Sequence, residues 1–176
     1  MALSDLAAIG SFVSGIAVVI SFIFLALQVR QANQNQRSLI QQARTGRNVE
    51  ILLKMADVPI SELLAKAESD PASLSEAKIW SFYGFVGAVF WSYEDCFMQF
   101  HAGTLHAGSW QSDVATLERI LAYPAFRVIW RMVRDGMSGG YRDYIDSLMS
   151  KIVPDPSARY SDLFAMYLAE ETAPAR

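Results

Sequence analysis

One feature limits this chain more than any other: residues 6–27, LAAIGSFVSGIAVVISFIFLAL, run for 22 positions without a charge. A helix of that length, rising ~1.5 Å per residue, reaches roughly 33 Å and so crosses a hydrocarbon core of roughly 30 Å. Its apolar side chains fall all round the helix, unlike the single stripe of a soluble core helix. A cleaved secretory signal is the competing reading. Against it, the residues ahead of the run carry Asp5 and no lysine or arginine, the run is long, and no convincing A-x-A site follows. The sequence therefore predicts a transmembrane helix over 6–27, preceded by a short extracytoplasmic segment, 1–5.

The flanks orient this helix. MALSD has no basic side chain, whereas Arg30 and Arg37 follow within ten residues of Leu27. The excess of positive charge on the cytoplasmic side then places the N-terminus outside and the rest of the chain in the cytoplasm. Small residues also form a line, Ala7, Gly10, Ser11, Ser14, Ala17 and Ser21, with Ile9, Phe12, Val13, Ile16, Val19, Ile20 and Ile23 opposite. Such a line lets a second helix approach closely, although small residues are common enough in membrane helices to align by chance. It predicts helix packing against another copy or against a subunit of a larger membrane complex.

Residues 28–57 contain no proline before Pro59 and are rich in Gln, Asn and Arg, so the membrane helix should continue into a juxtamembrane helix. Arg30, Arg37 and Arg44 are seven apart and share a face. Lipid headgroups account for Arg30 and Arg37. Arg44 lies roughly 21 Å beyond Arg30 on a straight helix, well past a Debye length of about 8 Å, so it calls for an acidic partner surface or a solvated helix face. Up to Ala56 two acids face five bases, and from Asp57 onward 16 acids face 10 bases. An acidic domain on a basic neck has no broad positive field, which argues against nucleic acid as a partner.

The remaining pattern is helical throughout, and the fold class is all-α: a transmembrane helix, a juxtamembrane helix and a compact cytoplasmic helical bundle over 58–171, ending in a loose tail, 172–176. Pro59, Pro71, Pro124 and Pro156 punctuate it, with Gly136 and the Gly139-Gly140 pair. Ser73 and Glu76 have capping-box spacing ahead of a long helix to about Phe100. Further helices are expected over about 60–67, 109–122, from Pro124 to the glycines, over 141–152 and from Asp155-Pro156 to about Glu170. The stretch 79–93, IWSFYGFVGAVFWSY, has no charge and at roughly 22 Å is short for a span. It reads as the central helix of the bundle or as a segment touching the membrane surface.

Chemistry is harder to find. A single cysteine, Cys96, rules out an intramolecular disulfide and a CxxC metal site. There is no E-x-x-H pair, no G-x-S-x-G, no phosphate-cradling Gly-rich loop, and no histidine in the span to ligate a haem. Arg127, Arg131 and Arg134 share a helix face, most simply a solvated one. No catalytic, metal or cofactor residue is assigned. The one alternative is a pocket on the aromatic helix beside Glu94, Asp95 and His101.

SDLAAIGSFVSGIAVVISFIFLALQVRQ, and less distinctively the segment from Trp130 through YRDYID, resembles a group of uncharacterised small proteobacterial single-pass membrane proteins. The resemblance implies a bacterial inner-membrane address and no activity. The expectation is a non-enzymatic interaction protein, a scaffold or accessory subunit with membrane lipid around its span. A membrane-tethered enzyme or ligand sensor is the alternative.

Overall fold

No proline interrupts the chain before Pro59, and a helical glycine such as Gly46 costs only about 1 kcal/mol relative to alanine. Accordingly the computed structural model opens on a single 54-residue helix, α1 (Leu3–Ala56). The structure describes residues 3–155 and 160–172, with side chains for Ser4 and from Gly10 onward. It continues through α2 (Val58–Ser69), α3 (Glu76–His101), α4 (Ala107–Leu121), α5 (Pro124–Val133), α6 (Gly139–Lys151) and α7 (Tyr160–Thr172), with short 3-10 turns at Pro71–Ser73 and Arg134–Gly136. Among the described residues there is no strand, and the chain is all-α.

The chain divides into two units, with the boundary between Ala43 and Arg44. In the first unit α1 carries an 18-residue window of mean hydropathy 2.5, none of it buried within the protein. It is long and apolar enough to cross a membrane. Phe12, Phe22 and Phe24 are all exposed there.

The second unit is the bundle, and α3 is its centre, packed against α2, α4, α5 and α6. The uncharged stretch therefore folds as the core helix: Phe82, Val86, Val89 and Phe90 are buried. Phe90 lies 5.1 Å, centroid to centroid, from the fully buried Trp130, which meets Tyr141 edge-on at 5.8 Å. Trp130 also donates from Nε1 to Asp146 Oδ1 at 2.8 Å, so its polar edge is satisfied inside the core. α3 ends where Gly103 takes φ +70°, and its successor Thr104 returns a backbone bond to Gln99.

Several local expectations change. The compact unit that holds the bundle extends from Arg44, so nearly half of the juxtamembrane segment 28–57 belongs to it. Ser75, not Ser73, is the residue preceding α3; the Ser73 hydroxyl bonds back to the Asp70 carbonyl inside the 3-10 turn. α4 starts at Ala107 because His106 is its N-cap, Nδ1 accepting from the Gly108 amide at 3.1 Å. α7 was expected in the core, yet none of its residues is buried, and Phe164, Tyr167 and Leu168 are exposed. Tyr160, Leu163, Phe164, Tyr167 and Leu168 recur at helical spacing, yet no residue of that face is buried. Pro156 and the tail 173–176 lie outside the described residues.

Candidate functional site

Arg44 is buried, and its neighbours on α1 explain why. Positions 44, 47, 48, 51 and 55 recur at helical spacing, so Arg44, Arg47, Asn48, Ile51 and Met55 form one face, all buried or half-buried. Arg44 Nε donates to Asp113 Oδ2 at 2.9 Å, and Nη2 donates to Asp113 Oδ1 and to the Ser109 carbonyl at 3.1 Å. This forked pairing on α4 is the geometry a guanidinium and a carboxylate favour. Hydrogen bonding to Asp113 raises the Arg44 pKa, against the opposing effect of burial. One turn on, Arg47 pairs with Asp95 at 2.6 Å and sends Nη2 to Cys96 Sγ at 3.7 Å. Two ion pairs thus fasten this part of α1, one to α4 and one to α3. Only the Arg44–Asp113 pair is buried, and a buried pair of this kind fixes register more dependably than it adds stability.

Beyond Arg44 the helices do not close on one another. They leave a cavity of about 500 Å³ between α2, the C-terminal part of α1, the middle of α3 and the second half of α4, within the range of small-molecule sites. Ile51, Met55, Leu64, Phe85, Val89 and Ile120 give it an apolar wall. Polar groups gather in two places. Near Arg44 and Asp113 stand Asn48, Tyr93 and Thr116; farther along α4 are Arg119 and Tyr123, with Glu68 and Tyr160. The Arg119 guanidinium carbon lies 5.4 Å from the Tyr160 ring centroid, a cation–π arrangement.

Burial, reinforced by Asp113, pushes the Tyr93 phenol up to about 12, and burial with nearby Glu68 does the same for Tyr123. The Cys96 thiol is pushed up to about 11, again by burial first and Asp113 second. All three are protonated at neutral pH. Tyr93 and Tyr123 therefore offer the cavity hydrogen bonds, and the Cys96 thiol, off the cavity lining, is not activated as a nucleophile.

The residues singled out from sequence lie elsewhere. Glu94 is buried and accepts from the Ser138 amide at 2.5 Å, capping α6 from a neighbouring helix. Asp95, one residue on, points to Arg47 and also accepts from Gln99 Nε2 at 2.9 Å. His101 is exposed, bonds through Nδ1 with the Phe97 carbonyl at 2.9 Å and lies on the Phe97 ring. The three do not converge on a pocket; the cavity uses Phe85, Val89 and Tyr93 of the same helix instead. Among the described residues no group of three or more His, Cys, Asp or Glu side chains is placed to hold a metal ion.

Arg44, read as a headgroup or partner contact, is instead committed to Asp113 of its own chain. Arg30 and Arg37 remain exposed. So do Gly10, Ser11, Ser14, Ala17 and Ser21, with the Ser21 hydroxyl bonded to the Ala17 carbonyl at 2.7 Å; the Ala7 side chain is outside the described set. In the arginine row, Arg127 caps α4 through the Leu121 carbonyl at 2.6 Å and Arg134 pairs with Asp146, so only Arg131 is left as a solvated cation.

Sequence reasoning missed Asp113, Tyr93 and the cavity wall. The signal was present in the neck, where Arg44, Arg47, Ile51 and Met55 share the spacing of a packed helix face. No family model, curated protein or solved structure matches the chain.

Proposed function

We propose that this chain is a membrane-anchored, non-enzymatic binding protein of the bacterial inner membrane, its N-terminus outside and its bundle in the cytoplasm, which takes up a small apolar ligand. One observation carries the reading: a cavity of about 500 Å³ with an apolar wall, at one end of which Arg44 and Asp113 are paired with each other. Arg30 and Arg37, immediately after the apolar segment, support the orientation. The test is purification of the full chain in its own lipids with a copolymer, without detergent, followed by native mass spectrometry. The reading expects a small-molecule adduct at one per chain, absent from an Ala65→Trp variant. Protein that is always recovered empty would contradict it.

A second reading, a scaffold or accessory subunit that associates with copies of itself or with a larger membrane complex, has its own support. Trp80 and Trp91 are 67% and 54% exposed on the outer side of α3. Between them Gly84 has open space where a Cβ would stand, so another helix has room to approach. Disulfide crosslinking in native membranes of Ser14→Cys or Ser21→Cys chains, in a Cys96→Ala background, tests it. Uniformly monomeric, partner-free protein would count against it.

A further inference from the structure

We infer that the cavity accommodates the single hydrocarbon chain of an uncharged lipid drawn from the membrane that anchors the protein, with its polar end at Asn48. The inference rests on the ligand-binding reading above and narrows it in charge and in shape.

Charge is settled by what surrounds the cavity. Its lining holds two cations, Arg44 and Arg119, and two acids, Asp113 and Glu68. Arg44 is gripped by both oxygens of Asp113, and Arg119 lies against the Tyr160 ring. At the Arg44 end, beside Asn48, an anionic headgroup would have to displace Asp113 from a buried guanidinium and leave that carboxylate unpaired, which is costly. A cationic headgroup meets the same obstacle in reverse. Asn48 is different: it lines the cavity one turn beyond Arg44, is half-buried, and its side-chain amide is engaged by no described protein group. It can donate to and accept from a hydroxyl or ester, which makes it the natural seat for a neutral polar end.

Shape follows from the helices. Three of them line the cavity along their lengths: α1 from Arg44 to Met55, α3 from Phe85 to Tyr93, and α4 from Ser112 to Ile120, with Tyr123 just beyond α4. At ~1.5 Å per residue the α1 wall alone is roughly 16 Å long. A volume of about 500 Å³ over that length leaves a mean cross-section of roughly 30 Å². That is more than one extended hydrocarbon chain needs and less than two side by side, so the cavity suits a single chain of about a dozen carbons. The same chain carries a segment long and apolar enough to cross a membrane, where a lipid of this kind would be found.

The experiment uses the full chain in lipid nanodiscs and, as its probe, dodecan-1-ol carrying a photoreactive diazirine. Labelled peptides are mapped by mass spectrometry. The inference expects labelling at Ile51, Met55, Phe85 or Ile120, reduced about tenfold by excess dodecan-1-ol and little changed by the compact 1-adamantanol or by dodecanoate. Ala65→Trp and Val89→Phe, which fill the cavity from α2 and α3, should each lower bundle labelling by a similar factor. Labelling of residues 10–27 by probe in the bilayer should stay unchanged and serves as the internal reference. Displacement by 1-adamantanol but not by dodecan-1-ol overturns the single-chain inference and leaves the apolar-ligand reading standing. Equal displacement by dodecanoate overturns the neutral headgroup. Bundle labelling that is absent, or insensitive to every competitor and both variants, overturns the inference and the reading together. The competition arm uses wild-type protein and does not depend on either variant folding.

Discussion

Within α1, the residues up to Ala43 and those from Arg44 onward obey opposite rules. In the first part Phe12, Ile20, Phe22 and Phe24 are exposed and nothing in the protein covers them. In the second, an arginine is buried while Leu52 and Leu53 on the same helix are exposed. Apolar surface on the scale of residues 10–27 is tolerable only where the solvent is itself apolar. A buried arginine is tolerable only where a carboxylate meets it, and Asp113 does. Hydropathy therefore describes the first part well, and only tertiary pairing explains the second.

Substitutions can break that contrast, and the largest effect belongs in the bundle core. Trp130→Ala removes a fully buried ring and its hydrogen bond to Asp146, which keeps Arg134 as a partner, and should cost roughly 3–5 kcal/mol in urea unfolding followed by tryptophan fluorescence. Asp113→Ala leaves the buried Arg44 unpaired and should cost about 3 kcal/mol. An Arg44→Met, Asp113→Leu double variant should regain most of that loss, which would show the pair to be a register device more than a source of stability.

The pH dependence is smaller and has a definite sign. Burial raises the Cys96 thiol from 9.0 to about 11, so the unfolded chain releases that proton first. Stability should be level below pH 9 and fall as pH rises from 9 towards 11. Tyr93 and Tyr123, raised from 10.0 to about 12, extend the decline. In Cys96→Ala the fall should begin nearer pH 10, a difference readable in urea midpoints across that range. The smallest effect is expected from Phe22→Ala: this exposed position should alter bundle unfolding by less than about 0.5 kcal/mol. A larger change would mean that the two parts of the helix are not energetically separate.

How much of this was legible in the sequence depended on range. The apolar segment, the all-α class and most helix boundaries follow from local signals: an uncharged run, period-3.6 apolar positions, and prolines at 59 and 124 that open α2 and α5. Arg44 with Asp113 spans 69 positions, and no local rule pairs them. Glu94, Asp95 and His101 looked like a cluster because they are close in sequence. On a helix, consecutive residues diverge by about 100°, so Glu94 and Asp95 serve different neighbours. α7 misled in the opposite way, since its apolar residues read as core and none of them is buried.

The account turns on α1 meeting three surroundings in succession, and accessibility along that helix tests it most directly. Single cysteines placed at each position from 10 to 55, in a Cys96→Ala full-length chain in opened membrane vesicles, would be titrated with a water-soluble maleimide. The account predicts no reaction over residues 10–27, reaction at every position over 28–39, and periodic reaction from 44, with 49, 52 and 53 labelled and 44 protected. Uniform labelling beyond 44, or ready labelling within 10–27, would contradict it.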